Sequence, residues 1–501
     1  MEKQTYRLKD YYDLLQDNRL ISSFHLEESH LNLPVKHLTF HSKDEMSGGI
    51  YVCKGAHFKE SYLKEAIDKG AICYISEVEY QTEDMNFPRI LVTDILRAMA
   101  LLGDLYYDHA WKDLRLIGIT GTKGKSTTAY YMKRILDDYL KSLNKPETGI
   151  LSSIDNYDGV IFQEAHLTTP ESIPLHRHFR NAVDSGITHM TMEVTSQALK
   201  YGRTYGVGFK VGCFINIGLD HISPIEHTDF DDYFQAKLKL IDQCEALCVN
   251  VDSNHAEEIC HAIHSDQRLV TFGTVETAEI YGYRIRKTEK GITFAVKTPS
   301  FDEEFVLGMP GFFNVENALA AISLCYVLDV PVEFIRKGLW EARVPGRMET
   351  FLGEKSGTLV IVDYAHNRLS FERLFESTIR EYPDRKIFAV FGCPGNKAYD
   401  RRHELPEIAG KYAAKIYITE EDAGEESVLD ISLELARNIK KTGCPYEIIL
   451  DREEAIRKAI DEADDKTIIL LTAKGRETRQ KRGTEYVTCP TDVEYVLNYL
   501  K

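Results

Sequence analysis

The 501-residue chain contains no Cys-x-x-Cys pair; its ten cysteines stand singly. That scatter excludes the paired-thiol zinc modules and a disulfide framework, and it points to a reduced, cytosolic setting. Cys260, His261 and His264 lie close together, but on one short helical stretch with no second pair of ligands, so they read as helix surface and packing residues. The first residues, MEKQTYRLKDYYDLL, hold no apolar signal core, and no apolar run approaches the roughly 20 residues of a membrane span. Ile468-Ile-Leu-Leu471 is long enough only for a short buried strand. These absences lead us to expect a soluble, cytoplasmic protein. A basic stripe is missing as well: with a net charge of -17 and no Lys/Arg run interleaved with aromatics, nucleic acid is not an expected partner. There is no internal repeat and no low-complexity segment.

What is present is ordinary globular composition, 43% hydrophobic, over a length that suits about three domains. Residues 1–110 carry short β-rich runs (Gly49–Cys53, Ala71–Ile75, Arg89–Val92) and close with the apolar-periodic helix Ile95–Leu105, a small α/β cap. Residues 111–345 begin with the buried strand Leu114–Ile117, a glycine loop, and a helix with apolar Ala129, Met132, Ile135, Leu136 and Tyr139. Two further strands, His189–Val194 and Val211–Ile217, end in polar residues, as a doubly wound sheet presents its chemistry. From 346 to 501, strands at Leu359–Asp363, Lys386–Phe391, Lys415–Thr419, Tyr446–Leu450 and Thr467–Leu471 alternate with helices, which argues a Rossmann-like third domain. The expected class is therefore α/β in three domains.

The loop Gly118-Ile-Thr-Gly-Thr-Lys-Gly-Lys-Ser-Thr-Thr128 lacks the glycine at 119 that the long phosphate loop requires. A strand, a glycine turn and a helix N-terminus still surround phosphates with backbone N–H groups, with Lys125 as a point charge and Ser126 as a Mg²⁺ ligand. No Asn-Lys-x-Asp guanine-reading motif accompanies it. What does follow is Thr168-Thr-Pro-Glu-Ser172, Glu193-Val-Thr-Ser-Gln197, Asn216-Ile-Gly-Leu-Asp-His221, Tyr233-Phe-Gln-Ala-Lys237, Asn314-Val-Glu-Asn317, Gly346-Arg-Met-Glu349, Asp363-Tyr-Ala-His366 and Lys474-Gly-Arg-Glu477.

In this order and spacing the chain resembles the Mur ligases, the ATP-dependent enzymes that add amino acids to the peptidoglycan precursor, over nearly its full length. It is most similar to the members that add the third residue, a diamino acid. The family loop reads Gly-Thr-Asn-Gly-Lys; Lys123 stands in place of its Asn. The resemblance implies that Gly121, Thr122, Lys123, Gly124, Lys125, Ser126 and Thr127 cradle ATP, helped by Asn317, Arg347, Asp363 and His366. It further implies that Ser126, Glu193, His221 and a carbamylated Lys237 serve Mg²⁺. By the same resemblance the muramyl substrate would meet Ser42, Thr168, Thr169, Ser196, Gln197 and Arg203. Two stretches depart from the family pattern: Asp-Ser-Arg is here His41-Ser-Lys43, and Ser-His is Ser196-Gln197. The reaction implied is phosphoryl transfer from ATP to a substrate carboxylate, then attack by an amine, in a monomer acting on small molecules. Another ligase of the superfamily, such as a folylpolyglutamate synthase, and a non-catalytic nucleotide-binding partner are the alternatives.

Family members that add meso-diaminopimelate carry Asp-Asn-Pro-Arg, whereas this chain has Glu421-Asp-Ala-Gly424. Gly424 offers no side chain to a distal carboxylate, and leaving one buried and unpaired costs about 3 to 5 kcal/mol. The acidic set Glu420, Glu421, Asp422, Glu425 and Glu426 would attract an ammonium instead, so L-lysine is expected, with L-ornithine behind it. Arg476 agrees with a lysine-type member; Glu477 would take the α-ammonium and Arg401 the α-carboxylate.

Overall fold

The computed structural model describes residues 5–55, 58–218, 222 and 226–500. Its internal contacts divide the chain into two compact units, Met1–Tyr281 with Leu319–Ile335, and Gly282–Ala318 with Arg336–Lys501.

The first unit holds two sheets. The N-terminal one has five strands in the order Ile21–His25, Arg89–Val92, Ala71–Ser76, Gly49–Val52, His37–Thr39. Only the first pair is antiparallel. Both faces are covered, as parallel strands require. Leu8, Tyr11 and Leu15 of one helix and Met99 and Leu102 of the helix Ile95–Tyr106 pack on Val52, Ile75 and Ile90. On the other face Leu63 and Ala66 cover Tyr51 and Tyr74.

The central sheet places Arg115–Thr120 between His189–Glu193 and Val211–Phe214, all parallel, with Ala246–Asn250 and Arg268–Gly273 beyond the latter. On the other side come Gly149–Leu151, parallel, then Asp155–Tyr157 and Phe162–Glu164, antiparallel. Two expected strands of this sheet differ in extent by three residues at their carboxyl ends. Arg115–Thr120 runs three residues past Ile117, so Gly118 lies inside the strand; a Cβ there would sit 2.9 Å from the Phe209 ring. Val211–Phe214 stops three residues before Ile217; beyond it the Ile215 N–H still donates to the Thr120 carbonyl and the Asn216 carbonyl accepts the Thr122 N–H, while the Asn216 side chain binds the glycine loop.

In the second unit, Gly291–Lys297 and Asp302–Leu307 form an antiparallel pair. A six-stranded sheet follows in the order Glu349–Leu352, Leu359–Val362, Thr467–Leu471, Lys386–Phe391, Lys415–Ile418, Tyr446–Ile448. Its first pair is antiparallel and the rest are parallel. The carboxyl ends of the parallel strands lead into the loops that carry Asp363, Cys393, Glu421 and Lys474.

Candidate active site

The strand Arg115–Thr120 delivers the glycine loop to the N-terminus of the helix Lys125–Ser142, whose cap is Gly124 at φ +89°. Only glycine adopts that conformation freely, and its choice leaves the first helical N–H groups open to an anion. The loop is tied from outside. Asn216 accepts the Lys123 N–H through Oδ1 (2.9 Å) and donates Nδ2 to the Lys123 carbonyl (3.1 Å). The Thr122 hydroxyl meets the Tyr233 hydroxyl at 2.9 Å and accepts the Gly218 N–H at 3.0 Å.

Two ammonium groups converge on one carbonyl. Lys125 Nζ donates to Gly121 O at 2.9 Å, and Lys237 Nζ donates to the same oxygen at 3.1 Å. Lys237 comes from the helix Phe230–Leu238, capped by Asp229. Its side chain is 1% exposed, lies 3.3 Å from Thr120 Oγ1, and rests over the Tyr233 ring at 4.8 Å.

Hard oxygen donors stand beside the same loop. The Ser126 hydroxyl is 2.9 Å from the Ser153 hydroxyl, and the Ser153 N–H donates to Glu193 Oε1 at 2.8 Å. Glu193 ends its strand buried. A hydroxyl and a carboxylate, both oxygen donors, fit a Mg²⁺ ion by chemistry. Among the described residues there is no group of three His, Cys, Asp or Glu side chains gathered for a metal, and His221 lies outside the described residues.

From Glu193 a chain of contacts runs to the remaining candidates. Thr169 Oγ1 donates to the Glu193 carbonyl at 2.9 Å, and Arg203 Nη1 donates to the Thr169 carbonyl at 3.1 Å. Arg203 also pairs with Glu171 at 3.0 Å, which Lys54 reaches at 2.7 Å. Thr168 is half-buried at the start of this segment. Ser196 Oγ is 3.0 Å from Nε2 of the buried His227, whose Nδ1 is 3.3 Å from Asp232. Gln197, half-buried, occupies the next position of the short helix Ser196–Lys200. In the N-terminal sheet's loops Ser42 donates to Glu65 at 2.7 Å, which holds the Glu65 carboxyl below its usual value.

The second unit gathers its own group. Asn317 Nδ2 donates to Asn314 Oδ1 at 2.9 Å, buried in the helix Asn314–Val327. The Arg347 guanidinium lies over the Tyr364 ring at 4.6 Å, and Tyr364 donates to Glu477 at 2.7 Å. Asp363 accepts the Met348 and Ala365 N–H groups at 2.9 and 2.8 Å, and His366 Nδ1 sits 2.7 Å from the Tyr364 carbonyl. Lys474, 3% exposed, binds Asp422 at 3.0 Å and Glu477 at 2.6 Å.

The acidic loop is not an open negative surface. Glu420 pairs with Arg482 at 2.6 Å, Asp422 with Lys474, and Glu426 with Arg402 at 2.9 Å. Glu421 differs: it is 8% exposed, and its Oε2 has no hydrogen-bond partner among the described residues. Burial pushes its carboxyl up to about 7, against the pull of Arg401, Arg452 and Lys474. Gly424 has φ +59°, and its N–H and carbonyl bond to Lys481 and Gly483, so backbone geometry holds it against the ribbon Arg479–Arg482.

The family model of the Mur ligase middle domain matches residues 119–325, and that of the Mur ligase glutamate ligase domain matches residues 346–475. The UDP-N-acetylmuramoyl-L-alanyl-D-glutamate–L-lysine ligase of Enterococcus faecalis is 36% identical over 487 residues, covering 94% of each chain. The chain belongs to the Mur ligase family. The UDP-N-acetylmuramyl-tripeptide synthetase of Lactobacillus delbrueckii subsp. bulgaricus is 35% identical over 494 residues, again 94% of each. Among solved Mur ligases, a UDP-N-acetylmuramoyl-L-alanyl-D-glutamate–2,6-diaminopimelate ligase superposes with a TM-score of 0.67 at 21% identity, over 99% of both chains. MurF ligase from Thermotoga maritima, solved in complex with ADP, superposes at 0.60 with 17% identity over 93% of this chain and 97% of that one. These likenesses establish the multi-domain α/β fold of Mur ligases.

In this Mur ligase the structure brings Lys125, Ser126, Lys237 and Glu193 to one loop, with Thr169 and Arg203 adjoining Glu193 through the backbone. Arg401, Asp422 and Glu477 belong to the Lys474 and Glu421 neighbourhood. Sequence reasoning did not name Ser153 or single out His227, and it named Lys474 only within a motif and Glu421 only within the acidic set. For Glu421 a signal existed in Gly392-Cys-Pro-Gly395: a Cβ on Gly392 would lie 3.0 Å from the Glu421 Cβ, and one on Gly395 would collide with the Ala423 carbonyl.

Proposed function

We propose that this Mur ligase adds L-lysine to UDP-N-acetylmuramoyl-L-alanyl-D-glutamate, with ATP as the energy source. The observation that carries the reading is the phosphate loop with two lysines on one carbonyl beside Glu193, in a chain whose relatives at 36% identity carry that name. The D-glutamate carboxylate attacks the γ-phosphorus, the bond to ADP breaks, and an acyl phosphate forms. The amine of lysine then attacks the acyl carbon, phosphate leaves, and the amine proton passes to solvent. Such a reaction asks the protein for positioning and charge neutralisation rather than a nucleophile.

Lys125 and the helix N-terminus hold the transferring phosphoryl group. Ser126 and Glu193, with His221 and Lys237 by family resemblance, would hold Mg²⁺, which when bound supplies charge neutralisation at the phosphates. Carbamylation of Lys237 turns a buried cation next to Lys125 into an anion, replacing repulsion with attraction and supplying an oxygen ligand. Asn317, Arg347, Asp363 and His366 serve ATP; Ser42, Thr168, Thr169, Ser196, Gln197 and Arg203 serve the muramyl substrate. Arg401 takes the lysine α-carboxylate, and Glu477, Asp422 and Glu421 take its ammonium groups. We further infer three domains at 1–110, 111–345 and 346–501, and a monomer working in the cytoplasm. Among the described residues no helix is long and apolar enough to cross a membrane.

The test is phosphate release from ATP with the muramyl dipeptide substrate and L-lysine, L-ornithine or meso-diaminopimelate as acceptor. Turnover with lysine supports the assignment. Turnover only with diaminopimelate overturns the acceptor, and none with any acceptor overturns the substrate class.

A further inference from the structure

Ser153 lies between two residues of the proposed metal site and is itself held with unusual care. It follows the strand Gly149–Leu151 in a turn built by Ser152, whose Oγ donates to the Asp155 carbonyl (2.9 Å) and accepts the N–H groups of Ile154 and Asp155 (3.1 Å each). Asp155 then accepts the Tyr130 hydroxyl at 2.7 Å, which pins the turn to the helix that carries Ser126. From that fixed turn Ser153 presents its Oγ to Ser126 Oγ at 2.9 Å and its N–H to Glu193 Oε1 at 2.8 Å.

We propose that Ser153 is a positioning residue for the divalent cation, orienting the Ser126 hydroxyl and the Glu193 carboxylate together. The inference rests on the magnesium site proposed above. A hydroxyl that gives a lone pair to a hard cation needs an acceptor for its proton, and Ser153 Oγ, 2.9 Å from Ser126 Oγ, can take that proton when Ser126 holds the cation. The Ser153 N–H fixes the rotation of the Glu193 carboxylate through Oε1. Outer contacts of this kind set ligand orientation, and their loss typically weakens metal binding about 10- to 100-fold.

The experiment is Mn²⁺ binding to the full chain with a non-hydrolysable ATP analogue, read by the electron paramagnetic resonance of free Mn²⁺, alongside KM for ATP and the melting temperature. Ser153→Ala should weaken Mn²⁺ about tenfold with the melting temperature held, and Ser153→Thr should restore it. If alanine disturbs the turn, Ser153→Cys keeps the volume but is a poor acceptor, and the same loss is expected. Wild-type Mn²⁺ affinity in Ser153→Ala, with Glu193→Gln clearly weakened, overturns the role of Ser153. Wild-type affinity in Glu193→Gln as well overturns the metal site itself and this inference with it.

Discussion

Replacing Glu421 by glutamine should make the protein more stable at alkaline pH while impairing its use of lysine. Burial raises the native carboxyl to about 7 from an ordinary value of 4.5. The native state therefore keeps a proton between those two values that the unfolded chain has lost. The contribution to stability is fully present below 4.5 and is lost as pH rises through 7, a total of about 3 kcal/mol at 1.36 kcal/mol per pH unit. Glutamine does not ionise, so Glu421→Gln avoids the loss: a gain of up to ~3 kcal/mol at pH 8 and less than ~1 kcal/mol at pH 5. For a domain of the C-terminal size that is roughly 6 to 12 °C in the affected transition at pH 8. Calorimetric scans of the unliganded protein at both pH values measure it. The same variant should raise KM for lysine about a hundredfold or more at pH 8, since an ammonium left without its buried partner forfeits about 3 to 5 kcal/mol. No stabilisation at pH 8 would refute the buried, uncompensated carboxylate; an unchanged KM would refute its role in binding the amine.

Lys237→Ala and Lys237→Arg should both abolish phosphate release, because arginine keeps the charge but does not form the carbamate; full activity in Lys237→Arg would sink the metal-ligand role. Arg452→Met should destabilise the protein by about 3 to 5 kcal/mol in urea titrations, since it strands the buried Asp492 that Arg452 grips with two hydrogen bonds of 2.6 Å. Nε-acetyl-lysine should be a poor acceptor, at least about a hundredfold lower in kcat/KM than lysine, because it offers an amide where the site balances an ammonium; equal turnover would refute that charge reading.

The sequence exposes the scaffold better than the site. Alternating strands and helices after residue 346, and the strand, glycine turn and helix around Gly121, are local patterns whose periodicity is visible without partners. The loop residues that finish the job are not. Ser153 is an unremarkable serine until the turn of Ser152 and Asp155 places it between Ser126 and Glu193. The acidic run 420–426 reads as open negative charge because its cations, Arg402, Lys474 and Arg482, arrive from elsewhere in the chain. Composition counts charges along the backbone, whereas pairing is decided by which loops the parallel strands bring to one edge. The tie on the glycine loop is equally invisible in the sequence: the Asn216 side chain bonds both the N–H and the carbonyl of Lys123, 93 residues away in the chain.

Charge balance around Lys474 then bears on which amino acid the C-terminal unit accepts. Lys474 holds two carboxylates, Asp422 and Glu477, so that triad carries a net negative charge. Arg452 is consumed by Asp492, Arg482 by Glu420, and Arg402 by Glu426 and Glu434. Arg401 enters no ion pair among the described residues, and it acts on Glu421 across the same neighbourhood. The Arg401 guanidinium suits an α-carboxylate. The remaining excess is negative, from the triad and from Glu421 when ionised, and it suits an amino acid with a second ammonium. Diaminopimelate brings a second carboxylate, which would need a cationic partner of its own. Gly424 does not provide it, since its backbone is held at φ +59° by Lys481 and Gly483 and it bears no side chain. On the proposed function, the choice of lysine rests on Arg401 and the buried Glu421 rather than on the number of acidic residues in the loop.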